Sequence, residues 1–94
     1  SQSFIIYQNG KIEMRTQLEL WQVVKDNFDD YFSDGLCILI SRLYIKGIIS
    51  MDENNCIYAE IKKYGNTKDY FLGDPKDPKP RLKFIDKMIK KYSQ

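Results

Sequence analysis

From Thr16 onward, apolar residues recur every three or four positions, the spacing that lines up one side of an α-helix. Leu20, Trp21, Val24 and Phe28 form such a stripe, and Trp21 reads as its core anchor. Ahead of it, Thr16-Gln17-Leu18-Glu19 matches a capping box: the Thr16 hydroxyl accepts from the amide three residues on, and Glu19 reaches back. The turn formers Asp29-Asp30-Tyr31-Phe32-Ser33-Asp34-Gly35 close this helix. A second helix is predicted from about Leu36 to Lys46. Its run Leu36-Cys37-Ile38-Leu39-Ile40, then Leu43, Tyr44 and Ile45, is apolar nearly all round, as a central buried helix would be. Gly47 supplies its stop. Ser50-Met51-Asp52-Glu53 is another capping box and opens a third helix through Ile57, Ile61 and Tyr64 to Gly65. Asp52 and Glu53 suit the positive end of that helix.

The two ends of the chain follow other rules. Phe4-Ile5-Ile6-Tyr7 is β-prone, Lys11 to Arg15 alternates polar and apolar, and Asn9-Gly10 between them favours a type I′ turn. Residues 1–15 therefore predict a β-hairpin, which must pack on the helices or pair with another chain, because two strands alone are marginal in water. The alternative is that Met14 initiates the chain and the residues before it stand outside the fold. Residues 66–80 form an aromatic and proline-rich connection whose stretch from Gly73 to Pro80 is predicted to be an extended strap. Pro80 fits the first turn of a last helix over 81–92, with Leu82, Ile85, Met88, Ile89 and Tyr92 as its apolar stripe. The expected architecture is mainly α, a small bundle of about four helices with an N-terminal β-hairpin: one domain over 1–94, with a three-helix core at 16–65.

Composition supports a folded chain: 43% hydrophobic and 14% aromatic residues among 94 is too apolar for disorder. A chain this size buries roughly 65% of its unfolded surface, one modest core with little room for a deep cleft. Nothing approaches the ~20 apolar residues needed to cross a bilayer, and the start lacks signal-peptide character. The expected location is the cytoplasm, that of a host cell if the source is viral, with no membrane partner.

The candidate chemistry is thin. The chain has no histidine, which removes histidine-dependent nucleophile activation and nearly every common zinc site. Cys37 and Cys56 read as small hydrophobes in buried helices rather than a disulfide framework. Asp26, Asp29, Asp30 and Asp34 fail the calcium-loop pattern and read as a solvated helix end. No phosphate-binding glycine loop, cofactor motif or metal set is present, so an enzyme is not expected.

Charge changes the picture more. The net +2 divides into +5 over residues 75–94 and −3 over the rest. Lys83, Lys87 and Lys90 share the polar face of the last helix, which reads either as a solvated face or as a docking surface for an anionic partner. Arg81, on the first turn beside the aromatic pair Tyr70-Phe71, either contributes to an anion site or ties the strap down through its carbonyls. Tyr70, Phe71, Arg81, Lys83, Lys87 and Lys90 are the candidate ligand- or partner-binding residues. The isoelectric point near 8.5 is below that usual for nucleic-acid binders.

Several short motifs, Leu18-Glu19-Leu20-Trp21 with Asp26-Asn27, Gly35-Leu36-Cys37, Gly47-Ile48-Ile49-Ser50, Tyr70-Phe71 and Pro80-Arg81-Leu82, resemble a pattern in small proteins of tailed bacteriophages and prophages. The resemblance covers Thr16 to Tyr92, about three quarters of the chain. It departs from the pattern at the hairpin and at Tyr70-Phe71-Leu72, where a tryptophan-rich run belongs. It implies a viral setting and no particular activity. The expected function is a small non-enzymatic binding protein, a phage accessory factor that contacts a protein partner or a second copy of itself. Two alternatives remain open. One is DNA binding through a helix-turn-helix-like pair formed by the second and third helices. The other is capture of an anionic nucleotide at Arg81 and the aromatic loop in a counter-defence role.

Overall fold

Both capping boxes form, and they set where two of the helices begin. The computed structural model describes residues 6–8, 11–31, 35–64 and 76–94. Helix α1 (Gln17–Asp26) starts at Thr16, whose hydroxyl accepts from the Glu19 amide while the Glu19 carboxylate accepts from the Thr16 amide. A 3-10 turn at Phe28–Tyr31 follows it. Helix α3 (Met51–Lys62) starts at Ser50 in the same way, with Glu53 as the reciprocal partner. Helix α2 (Leu36–Ile45) has no side-chain cap at its start, and it ends in a Schellman motif. The Ile48 amide donates to the Leu43 carbonyl and the Gly47 amide to that of Tyr44, with Gly47 at φ +76°. An L side chain at that left-handed angle would be strained, so glycine belongs there.

Helix α4 (Lys79–Tyr92) is longer than the predicted 81–92 and carries Pro80 in its first turn. It packs mainly on α1, while α2 and α3 form a second pair. The core between them holds Leu20, Trp21, Val23 and Val24 of α1, Leu36, Leu39, Ile40 and Leu43 of α2, Ile57 and Ile61 of α3, and Phe84, Ile85 and Met88 of α4. Trp21 is wholly buried, with Phe84 edge-on to it at 5.7 Å. Its indole N–H donates to the Gln17 side-chain carbonyl at 3.0 Å. Among the described residues the architecture is mainly helical, with four α-helices. At the N-terminal end, the backbones of β1 (Ile6–Gln8) and β2 (Lys11–Glu13) run antiparallel in register Ile6 to Glu13. The Asn9-Gly10 turn expected between them, and most of the proline strap, lie outside the described residues.

Three expectations change. Helix α2 is not buried all round: Ile38 is 50% exposed and Ile45 78%. One side of it, with Leu36, Leu39, Ile40 and Leu43, fills the core against α3 and its neighbours, and the opposite side does not. The stripe of α4 is rotated, with Arg81, Phe84, Ile85 and Met88 buried and Leu82, Ile89 and Tyr92 only partly so. Cys37 and Cys56 are half-buried, not core residues. The Cys37 thiol donates to the Tyr58 hydroxyl at 3.1 Å, and the Gln17 amide donates to the Cys56 sulfur at 3.0 Å.

Candidate interaction surfaces

The expected site residues separate. Tyr70 and Phe71 lie outside the described residues. Arg81 is fully buried, and one guanidinium N–H reaches the Asp77 carbonyl at 3.5 Å. That geometry matches the strap-tying role and does not present the guanidinium to a ligand from solvent. Lys83, Lys87 and Lys90 remain exposed on the outer side of α4. Spaced i, i+4 and i+7, they stack along one face because α4 buries its other face in the core.

Beside this row, α3 and α4 meet in a charged corner that sequence spacing did not reveal. Phe84 projects from α4 and meets the Tyr64 ring edge-on at 5.4 Å. Over that ring sit two ammonium groups, Lys87 at 4.7 Å and Lys91 at 5.4 Å from its centroid. Lys91 also donates to the Tyr64 hydroxyl at 3.1 Å and to Glu60 Oε2 at 2.9 Å. Tyr92 Oη donates to the same carboxylate oxygen, and Lys63 pairs with Oε1 at 3.0 Å. Burial pushes the Glu60 carboxyl up, but the bonds from Tyr92, Lys91 and Lys63 outweigh it and hold its pKa at about 2. In return the bond to Glu60 raises the Lys91 and Lys63 pKa values. All three groups are therefore charged at neutral pH, and two lysines and a tyrosine hydroxyl surround one buried carboxylate.

At the other end of α3, Glu53 is held by Arg15, the residue just before the Thr16 cap. Arg15 Nε donates to Oε2 and Nη2 to Oε1, each at 2.8 Å, a bidentate pair. Its backbone amide adds a bond to Oε2 at 3.0 Å, and Nη2 also reaches the Ile48 carbonyl at 2.8 Å. Desolvation raises the Glu53 carboxyl, yet the Arg15 and Ser50 hydrogen bonds win and set its pKa at about 2. One residue thus caps α3 and bolts the start of α1 to the α2–α3 turn. No local pattern flags Arg15, since its partner lies 38 residues away.

The outer side of α2 is the second distinctive surface. Ile38 and Ile45 lie two turns apart on one line, with exposed Tyr44 on its flank and exposed Met51 just beyond the turn. Along α3, an open groove of about 430 Å³ is lined by Asn54, Asn55, Tyr58, Ala59 and Lys62. The helix-turn-helix alternative requires α3 to present its outer face to DNA. With Glu53 and Glu60 turned inward, Asp52 is the acidic side chain left exposed there. Among the described residues no group of three His, Cys, Asp or Glu could hold a metal, and no helix is long and apolar enough to cross a membrane.

Comparison with known proteins supplies little context. No family model matches the chain, and no solved structure matches it. It is 31% identical over 81 residues to the DNA-dependent protein kinase catalytic subunit of Dictyostelium discoideum. That similarity takes in 78% of this chain, which spans about 2% of the length of the kinase subunit.

Proposed function

We propose that this protein is a non-enzymatic interaction module that docks through the outer face of α2, with a second copy of itself as the first occupant. The observation that carries the reading is Ile45, a large apolar side chain left 78% exposed on a helix whose opposite face is fully buried. Scattered apolar residues on a surface are ordinary, but Ile38, Tyr44 and Ile45 share one helix and Met51 opens the next. Exposed Arg42 and Lys46 border them. An apolar centre with a charged rim is the anatomy of a protein interface.

The face is also self-complementary. Two α2 helices packed antiparallel about a two-fold axis would set Ile38 of one copy against Ile45 of the other. A standard interface buries about 800 Å² per partner, more than two isoleucines provide, so Tyr44 and Met51 belong to it. The similarity to one segment of a kinase subunit and the resemblance to phage proteins point to different sources. Neither brings an activity with it.

Light scattering on the eluting protein across a concentration series tests the reading. The wild type is expected to grow in mass with concentration, and Ile45→Lys to stay monomeric with an unchanged melting temperature. A wild type that is monomeric at every concentration removes it.

A further inference from the structure

We propose that the lysine corner of α3 and α4 is a sequence-independent binding site for a nucleic-acid phosphate backbone. It stands on a different surface from the α2 face and does not depend on it. The corner is built rather than incidental. Phe84 fixes Tyr64, and Tyr64 gathers Lys87 and Lys91 over one ring. Glu60 then draws Lys91 and Lys63 together from two helices. Lys63 and Lys91 on the carboxylate and Lys87 over the adjoining ring set three ammonium groups at one corner against a single buried carboxylate, a local excess of positive charge. The row Lys83, Lys87, Lys90 extends that excess along α4.

The form of the site selects the partner. It is an open line of charge, not a pocket, so it fits a polymer with regularly repeated anionic groups better than a small anion. The arginine of α4, Arg81, is buried, leaving lysines alone on the face. Lysines act as mobile point charges and suit a spaced row of phosphates, whereas the arginine fork fixes a single carboxylate or phosphate bidentately. The Tyr64 ring is flanked by Phe84 and covered by lysines, so it offers no free face for base stacking. Contacts confined to phosphates carry affinity without sequence preference. This places any nucleic-acid contact on α4 and the end of α3, not on the α2–α3 turn that the helix-turn-helix alternative requires.

Fluorescence anisotropy of the full chain with a short labelled duplex of random sequence tests the site. With about four phosphates neutralised, log affinity should fall with log salt at a slope near −3.6, roughly a 150-fold loss between about 50 and 200 mM. Lys87→Glu should weaken binding about tenfold at ~0.1 M salt and reduce the slope by about 1. Lys46→Glu, on the far side of the α2–α3 turn, should change it far less. Lys83→Gln with Lys90→Gln provides a second pair whose side chains make no bond to another described residue, and circular dichroism melting checks that each variant folds. Absence of a shift at about 50 mM salt would overturn the proposal, as would salt-independent binding or an equal loss in Lys46→Glu. Displacement of the duplex by polyglutamate at equal charge would reassign the corner to an acidic protein.

Discussion

Glu53 and Glu60 sit at opposite ends of one helix, both buried and both held near a pKa of 2, yet they are held in different ways. Glu53 faces a single arginine that is itself buried, with side-chain exposures of 7% for Arg15 and 1% for Glu53. Every Glu53 acceptor direction is filled by Arg15 or by the Ser50 cap. Glu60 is just as buried, but its lysine partners are 43% and 66% exposed. The first arrangement is closed and serves the fold. The second hides its negative charge and leaves its positive charges facing solvent, where another molecule can reach them. Two carboxylates with the same acidity can therefore mark a structural bolt and a binding surface, and the exposure of the counter-charges tells them apart.

The sharpest way to break this contrast is Arg15→Ala. It strands the buried Glu53 charge and should cost about 3–5 kcal/mol, read as a loss in a urea unfolding curve. If the cost is below about 1 kcal/mol, Glu53 is solvated and the closed arrangement is wrong. Acid titration addresses both ends at once. Each carboxyl has a folded pKa below its ordinary value of 4.5, so its stabilisation is complete above pH 4.5 and disappears as pH falls toward about 2. That amounts to about 3 kcal/mol for each of these buried groups. Glu53→Gln and Glu60→Gln should each flatten the wild-type decline in stability over that interval, and an unchanged slope in either would contradict the assigned acidity.

Tyr92→Phe removes one donor from Glu60 while leaving both lysines, and a loss of roughly 1.5–3 kcal/mol is expected. Lys91→Ala should matter least to stability, because that lysine is open to solvent and Lys63 remains on the carboxylate. The ordering is the test: Arg15 well above Lys91. If Lys91→Ala destabilises as much as Arg15→Ala, the corner is a structural bolt as well and its lysines are not available for a ligand.

Much of the helical layout was legible because it is written in local terms. Thr16 with Glu19 and Ser50 with Glu53 are three residues apart, and Gly47 marks a left-handed stop, so these boundaries follow from chemistry within one turn. The stripe Leu20, Trp21, Val24, Phe28 is likewise a local periodicity, and all four are core residues. Helix α2 departs from its sequence pattern for the complementary reason. A helix apolar on every side carries no periodic signal, and which side is covered depends on how α3 packs against it. The rotation of α4 that buries Arg81 and Phe84 has the same origin.

The candidate site divides along the same line. The row Lys83, Lys87, Lys90 could be read from helical spacing alone, and its exposure follows from the apolar face opposite. Lys63, Tyr64 and Lys91 could not be joined to it, since α3 and α4 come together only in the folded chain. The amino-acid order by itself determined the helices, their caps and the segregation of positive charge toward the C-terminus, all set by interactions spanning a few residues. Tertiary structure alone decided that Arg15 would clamp Glu53, that Glu60 would gather lysines from two helices, and that Ile38 and Ile45 would be left outside. Those outcomes rest on contacts between distant segments, and such contacts exist only once packing has chosen which faces meet.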